Sequence, residues 1–552
     1  MASRPHHRCL SCNKARRRRK AGNPLAAIAF WREPHKGVLW VNNGHIVPGV
    51  DGNLDQEIPT NGVPPNYSYG QITCQRDLEN FFRLWICGVP SLSLYQNYTF
   101  TLSMRAASGN PAINIYTSVE TNGGTGYLTD TNIAAQQADT STSTSYGVSV
   151  GTVSPGHPCT IPSVAFVWGG TQHLLFEGAG IGEGQLTLTI YQNGYYVAVS
   201  SVWLDLHDIK DLYEQSHVAN VYDSPAGSSS YASTYVEDHV MPANSDEAPQ
   251  FILFVHGWRM GVWDYESFSD TMFKRLYWAD YQGRFASLRW PTLSADDFWL
   301  PALDYFTYNR SEFRAWKSAA GLSAYLTHLK QRFPNYSLNV CAHSMGNIVM
   351  AEALKDQLAI GQKNVDNYVL MQAAVPAHCY QTNLPNYAPF MALENGGFPT
   401  PDEYRGYPGA INQAINGNMS DFFNTNDYAL ATGATYIPLI GNVQINWEAN
   451  QENFKPDGGY EYGTDGTNCW WNNTTGITDS REILAFCSRP RSKAVGALGG
   501  VGGNLNTSAQ VDLTAQFHFL GNSDEHSAQF NWNIQNVEPF YSTMLNTFFP
   551  PK

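Results

Sequence analysis

From Gln250 onward, apolar segments of strand length alternate with segments of helical periodicity. The first segment, QFILFVHGW, is a continuous apolar run of the kind found in a parallel strand buried on both faces. Such alternation predicts a parallel sheet with helices on both faces, because successive parallel strands are usually joined by a helical crossover. The predicted strands are QFILFVHGW, GRFASLRWP, YSLNVCAHS and DNYVLMQAAVP, and the predicted helices are DYESFSDTMFKRLYWAD, SEFRAWKSAAGLSAYLTHLKQRF and NIVMAEALKDQLA.

The seven residues CAHSMGN, at positions 341–347, stand between the third of these strands and the third helix. The residues two before and two after Ser344 are Ala342 and Gly346, which are both small. A sharp strand-to-helix turn crowds its own backbone and requires small residues at these two places. It also lifts the serine Oγ above the sheet, at a helix N-terminus. The pattern therefore predicts that Ser344 is a nucleophile presented by such a turn.

This turn and its surroundings resemble those of the α/β-hydrolase superfamily, whose usual nucleophile pattern is G-x-S-x-G. Here Ala342 replaces the first glycine, and alanine is small enough to keep the turn. The motifs FVHGW, LRWP, AHSMGN, NDYAL and EHSAQF together look most like those of a bacterial group of serine hydrolases. The resemblance covers residues 250–552 and implies an α/β-hydrolase fold with a mostly parallel sheet flanked by helices.

A nucleophilic serine needs a base and an acid that orients the base. The superfamily's order along the chain is nucleophile, acid, histidine. Asp427 is the predicted acid, because in the extended run MSDFFNTNDYALA it would lie just past the C-terminal end of a strand, beside the turn. His526 is the predicted base, since it follows a short strand and a turn. The alternatives are Asp421 (expected before the strand), Asp524, and His518 (expected inside a strand).

Two backbone amides are needed to bind the oxyanion that forms during acyl transfer. One candidate is the amide of Met345, directly after the serine, and the other is that of Trp258 in the HGW loop. Gly257 would let this loop turn close to the substrate. His343 stands beside the nucleophile and Arg259 beside Trp258, so both are expected to bind substrate.

These residues together predict a serine esterase or lipase that cleaves carboxylic esters, with Ser344, Asp427 and His526 as its catalytic triad. This chemistry needs no metal and no organic cofactor. The expected substrate is a small-molecule, lipid or polymer ester. An acyltransferase, thioesterase or amidase on the same triad stays open as an alternative. So does a binding or adhesion module that carries an inactive hydrolase domain.

The N-terminal part is predicted to contain a β-rich, sandwich-like domain, because it has short runs of β-branched and aromatic residues. Within it, LTLTIYQNGYYVAVSSVWL is predicted to be a hairpin that turns at Asn193 and Gly194. The predicted organisation is an irregular leader over 1–70, the β module over 71–222, a linker over 223–249, and the catalytic domain over 250–552 with insertions at 380–418 and 440–510.

The formal net charge is −14, and eight of the 33 basic residues lie in the first 20 positions. The rest carries 25 basic against 47 acidic residues, which does not suit non-specific nucleic-acid binding. The basic run 16–20 stays open as part of a disordered leader, a nucleic-acid arm or a degenerate secretion signal. No apolar stretch of about 18 residues predicts a transmembrane helix. The abundance of uncharged polar, Tyr and Trp residues is typical of secreted bacterial proteins, so an extracellular location is expected.

Nine cysteines are spread over the chain and do not predict a disulfide framework. One or two bridges, for example Cys74–Cys87 or Cys469–Cys487, stay open. The sequence leaves the oligomeric state open as well.

Overall fold

The computed structural model describes residues 27–30, 38–41, 78–89, 98–120, 122–138, 147–162, 170–221, 232–242, 247–292, 304–375, 380, 411–425, 427, 430, 434–437, 441–444, 494–499, 509–515, 525–527, 529–530 and 534–550. The chain divides into two compact units. The first unit comprises Met1–Leu212, Asp270–Gln282 and Phe530–Pro539, and the second comprises Tyr213–Ser269, Gly283–Gln529 and Phe540–Lys552.

An eight-stranded sheet makes up most of the described part of the first unit. Its strands are β1 (Ala27–Phe30), β2 (Val38–Trp40), β3 (Phe81–Val89), β4 (Tyr98–Thr117), β5 (Ser149–Val153), β6 (Cys159–Ile161), β7 (Gly170–Gln192) and β8 (Tyr195–His207). Two short helices, α1 (Gly126–Thr129) and α2 (Thr131–Ala138), follow β4. The long strand β7 pairs antiparallel with β3, β4 and β8. A β-rich N-terminal region is therefore present, as the sequence predicted.

The hairpin between β7 and β8 turns at Asn193 and Gly194, as predicted. Both residues have positive φ, 50° and 81°, a backbone region that asparagine and glycine adopt more readily than other residues. Along β7, the side chains of Leu186, Leu188 and Ile190 are buried. Thr187 and Thr189 between them are buried as well, so this part of β7 is covered on both faces.

Part of the predicted irregular leader is structured, so that prediction is wrong for two segments. β1 pairs antiparallel with β3, and β2 pairs parallel with β8. The indole of Trp40 is fully buried, and its ring centroid lies 4.8 Å from that of Phe82 and 4.9 Å from that of Tyr277. These strands are only four and three residues long, too short to produce a recognisable period. The basic run at 16–20 lies outside the described residues.

The second unit is built on a sheet whose strands run in the order β10-β9-β12-β11-β13-β14-β15-β18. Every neighbouring pair in this sheet is parallel except β10 and β9. The strands are β9 (Glu214–Ala219), β10 (Thr234–His239), β11 (Gln250–Val255), β12 (Arg284–Arg289), β13 (Ser337–His343), β14 (Asn367–Met371), β15 (Met419–Phe423) and β18 (Ala509–Asp512). Two further strands, β16 (Ala434–Ile437) and β17 (Gly441–Gln444), pair with each other.

The strand order of this sheet reverses at β11, because β12 lies on one side of it and β13 on the other. In open parallel sheets, ligands bind at the carboxyl ends of the strands beside such a reversal. The loops that follow β11 and β13 therefore meet at the expected place for a site. The loop after β11 contains the HGW segment, and the turn after β13 consists of Ser344 and Met345 in the middle of the CAHSMGN segment.

The described helices that follow these strands are α3 (Val262–Trp278), α4 (Asp304–Arg332), α5 (Gly346–Ala359), α6 (Val495–Leu498) and α7 (Ile534–Phe548). The side chains of β11 from Phe251 to Val255 are fully buried, which agrees with the prediction from its continuous apolar run. In α4 the residues buried in the core include Ala315, Ala319, Leu322 and Leu326, whereas Ala320 is only partly buried.

The predicted linker 223–249 contains a strand of the second sheet, which corrects that boundary. β10 pairs antiparallel with β9, and β9, expected in the β module, pairs parallel with β12. β10 has the sequence TYVEDH, and half of its side chains are exposed. Because β10 is a polar edge strand, it lacks the apolar run that marks a buried strand. Residues 381–410 and 445–493, most of the predicted insertions, lie outside the described residues.

Three cysteines belong to the described residues. Cys87 is disulfide-bonded, while Cys159 and Cys341 are free and buried. Cys74, Cys469 and Cys487 lie outside the described residues, so the pairings left open by the sequence stay open.

Candidate active site

Ser344 lies at a sharp turn between β13 and α5, where the sequence predicted it. Its φ is 51°, in the left-handed region that non-glycine residues rarely adopt. Its N–H donates to the carbonyl of Met371 at 3.0 Å, and its own carbonyl accepts from the N–H of Ala374 at 3.1 Å. These two hydrogen bonds tie the strained turn to the residues at the end of β14.

The small residues around Ser344 have the steric role that the sequence suggested. A methyl group at Gly346 would lie 2.3 Å from the carbonyl oxygen of His256, which is backbone and cannot move aside. A methyl group at Gly257 would lie 2.8 Å from the Cβ of Ser344. The chain after β11 and the turn after β13 are therefore in direct contact, and both glycines are required for that contact.

Asn347 braces the turn, a role that the sequence analysis missed. Its Nδ2 donates to the carbonyls of Ala342 and Ser344, each at 2.9 Å. Its Oδ1 accepts a hydrogen bond of 2.6 Å from the hydroxyl of Tyr368. All of these groups are buried, so the amide is fixed from both ends. Its position directly after Gly346 in the first turn of a helix was the one available signal.

The serine, the histidine and the acid that the sequence singled out form a continuous hydrogen-bonded chain. The Oγ of Ser344 lies 2.8 Å from the Nε2 of His526, and the Nδ1 of His526 lies 2.6 Å from the Oδ2 of Asp427. Because a carboxylate can only accept, the hydrogen of the neutral imidazole is on Nδ1 and the serine hydroxyl donates to Nε2. This is the arrangement in which an imidazole can take the serine proton.

The carboxylate of Asp427 is fully buried and receives further hydrogen bonds. The Nε2 of Gln372 donates to Oδ2 at 3.3 Å, and the backbone N–H of Leu430 donates to Oδ1 at 3.1 Å. Gln372 also has a positive φ, 44°, and nothing in the sequence pointed to it. Asp421, weighed as the alternative acid, lies in the middle of β15 and not before the strand. Asp524 and His518 lie outside the described residues.

The two amides considered for an oxyanion hole are on the two touching segments. Met345 directly precedes α5 at its N-terminus, and Trp258 directly follows Gly257. The side chain of Trp258 packs against the core of the second unit. Arg259 is exposed and has a φ of 62°; its N–H donates to Thr292 Oγ1 at 3.2 Å.

His256 joins neighbouring segments of the hydrolase-like sheet. Its Nε2 accepts from the N–H of Trp290 at 3.1 Å, so its Nδ1 carries the hydrogen and donates to the carbonyl of Gly257 at 2.8 Å. The indole of Trp290 stacks on its ring, with centroids 5.4 Å apart. Burial lowers the pKa of His256 to about 3, so this histidine is neutral at ordinary pH and its hydrogen bonds hold the neighbouring segments together.

His343, expected to bind substrate, is buried against His526. His343 is only 2% exposed, and its Nε2 lies 2.9 Å from the carbonyl oxygen of His526. The two imidazole centroids are 5.0 Å apart. Burial, followed by the positive charge that His526 can carry, holds the pKa of His343 well below its usual range. The ring therefore contacts the triad through a main-chain group.

No three His, Cys, Asp or Glu side chains among the described residues are grouped so that they could hold a metal ion. In the same part of the chain, no helix is long and apolar enough to cross a membrane.

A family match agrees with the fold and with the turn at Ser344. Residues 231–379 match the model of the family described as "Alpha/beta hydrolase of unknown function (DUF900)". The match covers 149 of the 552 residues and includes β11, the HGW segment and CAHSMGN. The chain contains an α/β-hydrolase domain. In this α/β-hydrolase domain the nucleophile turn, the acid and the histidine follow the chain order of the superfamily.

Solved structures of esterases show weak similarity to the chain. A cutinase of Trichoderma reesei is 16% identical, with 23% of this chain and 52% of that chain covered and a TM-score of 0.17. An esterase of Pyrobaculum calidifontis is 14% identical, with 35% of this chain and 61% of that chain covered and a TM-score of 0.19. A rice cell wall degrading esterase of Xanthomonas oryzae is 10% identical, with 66% of this chain and 90% of that chain covered and a TM-score of 0.23. The chain thus spans between half and two thirds of the first two, and likenesses this weak do not bear on its function. No protein of curated function matches the sequence significantly.

Proposed function

We propose that the α/β-hydrolase domain is a serine hydrolase that cleaves carboxylic esters through an acyl-enzyme on Ser344. The observation that carries the proposal is the unbroken chain from Ser344 Oγ to His526 Nε2 at 2.8 Å and from His526 Nδ1 to Asp427 Oδ2 at 2.6 Å. A structural serine at a turn has no need of a histidine that is itself oriented by a buried acid.

The first half of the reaction follows from these contacts. His526 Nε2 takes the hydroxyl proton as Ser344 Oγ attacks the carbonyl carbon of the ester. Asp427 holds the imidazole in the Nδ1–H tautomer and stabilises its positive charge. The amides of Met345 and Trp258 bind the oxyanion of the tetrahedral intermediate. His526 then gives the proton to the leaving alcohol, and the acyl group stays on Ser344.

The second half repeats these roles with water as the nucleophile. His526 takes a proton from the water as its oxygen attacks the acyl carbon, and returns that proton to Ser344 Oγ as the carboxylic acid leaves. The substrate class is a small-molecule, lipid or polymer ester, and the site of action is extracellular. The support for the location is the composition, with 14% charged and 13% aromatic residues.

The test compares wild type with Ser344→Ala on p-nitrophenyl esters of short and long acyl chains. We expect wild-type turnover, and a loss of about 10³-fold or more in kcat/KM for Ser344→Ala. Ser201→Ala, an exposed serine of β8, is the matched control and should keep full turnover. Mass spectrometry should also find a fluorophosphonate adduct on Ser344.

Three outcomes would contradict the proposal. Full-strength turnover by Ser344→Ala would show that Ser344 is not the nucleophile. Neither turnover nor labelling of a folded wild type would favour a binding module with an inactive hydrolase domain. Transfer of the acyl group to an added alcohol in preference to water would indicate an acyltransferase.

A further inference from the structure

His343 is the last residue of β13 and immediately precedes the nucleophile. It is bound to the catalytic histidine by one specific contact, the 2.9 Å approach of its Nε2 to the carbonyl oxygen of His526. The residue with which it makes this contact lies 183 positions further along the chain. A contact of this kind connects the nucleophile turn with the segment that carries the base.

The direction of this hydrogen bond follows from elementary chemistry. A carbonyl oxygen carries no hydrogen, so the Nε2 of His343 must be the donor. His343 is 2% exposed, and burial in low dielectric favours the neutral imidazole. His343 is therefore the Nε2–H tautomer, the opposite of the tautomer of His526.

The base itself needs such an anchor. His526 lies in a single short turn, Glu525–Ser527, and its imidazole must keep two hydrogen bonds of 2.8 Å and 2.6 Å at once. Its side chain is 13% exposed. The hydrogen bond from His343 holds its main-chain carbonyl. A shift of the turn by about 1 Å would cost on the order of 10²-fold in rate.

We propose that His343 is a positioning residue, whose Nε2–H holds the backbone carbonyl of His526 and so keeps the imidazole between Ser344 and Asp427. This inference rests on the proposed function. It replaces the substrate-binding role expected from the sequence, since the donor of His343 points to the protein and not to a ligand.

The experiment compares three substitutions that differ in the reach of their donor. His343→Gln carries an amide at about the distance of the imidazole Nε2, His343→Asn has the same amide one bond shorter, and His343→Leu has no donor. We expect kcat for p-nitrophenyl esters to fall by about 10- to 100-fold in His343→Leu and His343→Asn, with KM unchanged. His343→Gln should stay within about threefold of wild type. The rate of fluorophosphonate labelling at Ser344 should follow kcat.

A matched control separates positioning from packing. Cys341→Ala removes a fully buried side chain of the same strand, whose Sγ donates to the carbonyl of Leu253 at 3.6 Å. It should lower the melting temperature while leaving kcat of the folded enzyme unchanged. The His343 variants are compared at equal folded fraction, judged by near-UV circular dichroism.

The outcomes decide between named alternatives. The positioning role would be overturned if kcat and the labelling rate were the same in His343→Leu, His343→Asn and wild type. It would also be overturned if a folded His343→Gln were as slow as His343→Leu. A raised KM with unchanged kcat would restore the substrate-binding role and overturn this inference. If wild type is neither active nor labelled, it is the proposed function that fails. His343→Asn keeps the test valid if His343→Leu does not fold.

Discussion

At the scale of single residues, the strongest constraint on the site is the carboxylate of Asp427. It is fully buried and lies against an imidazole, a side-chain amide and a backbone N–H. The amide nitrogen of Gln372 donates to one carboxylate oxygen and the backbone N–H of Leu430 to the other, so the site fixes both oxygens as acceptors. The orientation of His526 is a consequence of this arrangement, because only the Nδ1–H tautomer can donate to Asp427.

Asp427→Asn tests that arrangement. The asparagine amide presents a donor to Nδ1 and favours the wrong tautomer, so we expect kcat for p-nitrophenyl esters to fall by about 10⁴-fold with little change in KM. Asp421→Asn is the matched control, since Asp421 is also a fully buried acid of this sheet but is not bound to His526. A similar loss of kcat in both folded variants would show that buried charge in general, and not the tautomer, is responsible.

Local rules were sufficient to identify Ser344, Met345 and Gly346 from the sequence, because the steric demand of a sharp turn acts over a few residues. Asp427 and His526 needed the chain order of a known superfamily. Asn347, Gln372 and the contact of His343 could not be derived, because their hydrogen-bond partners are up to 183 positions away. Such partners are determined by the register of the sheet, which the sequence does not display.

At the scale of elements, a group of charged side chains joins β9, β12 and α4 in the second unit. The guanidinium of Arg284 donates to Glu214 at 2.6 Å and to Glu247 at 2.9 Å, and Arg332 donates to Glu214 at 2.8 Å. The side chains of Arg284 and Glu214 are each 1% exposed. This network explains how a strand as polar as β9 is held in the sheet. Because β9 has no apolar run, the sequence did not place it in this sheet.

Glu214→Gln tests the network. It leaves two guanidinium groups facing a neutral amide in a buried place, so we expect the free energy of unfolding to fall by about 3 kcal/mol or more. Glu237→Gln is the control, because Glu237 also binds Arg332 but is 25% exposed; its loss should stay below about 1 kcal/mol. Urea unfolding followed by tryptophan fluorescence measures both. Equal losses would mean that burial does not determine the strength of these ion pairs.

At the scale of the whole molecule, buried neutral histidines make stability depend on pH. Burial lowers the pKa of His256 to about 3 and that of His343 well below 6.5. Above pH 6.5 both are neutral whether folded or unfolded, and stability is unaffected. As pH falls below 6.5, only the unfolded chain takes up these protons, so the native state loses stability.

As pH falls from 6.5 towards 5, the expected slope rises from about 0.7 to about 1.4 kcal/mol per pH unit for each histidine. Urea unfolding at several pH values in this interval measures it. Burial also lowers the pKa of His173 to about 4, so His256→Gln removes one of three such groups and should lower the slope by about a third. An unchanged slope in His256→Gln would show that His256 is protonated in the folded protein.

The long separation of the three site residues has a consequence for synthesis. Ser344 is 182 positions before His526, and Asp427 is 99 positions before His526. At typical translation rates, the ribosome needs about 10 to 40 s to add 182 residues. During that interval the nascent chain carries its serine without a base, and a serine without a base is a poor nucleophile. Under the proposed function, Ser344 therefore becomes reactive only after most of the sheet has been made.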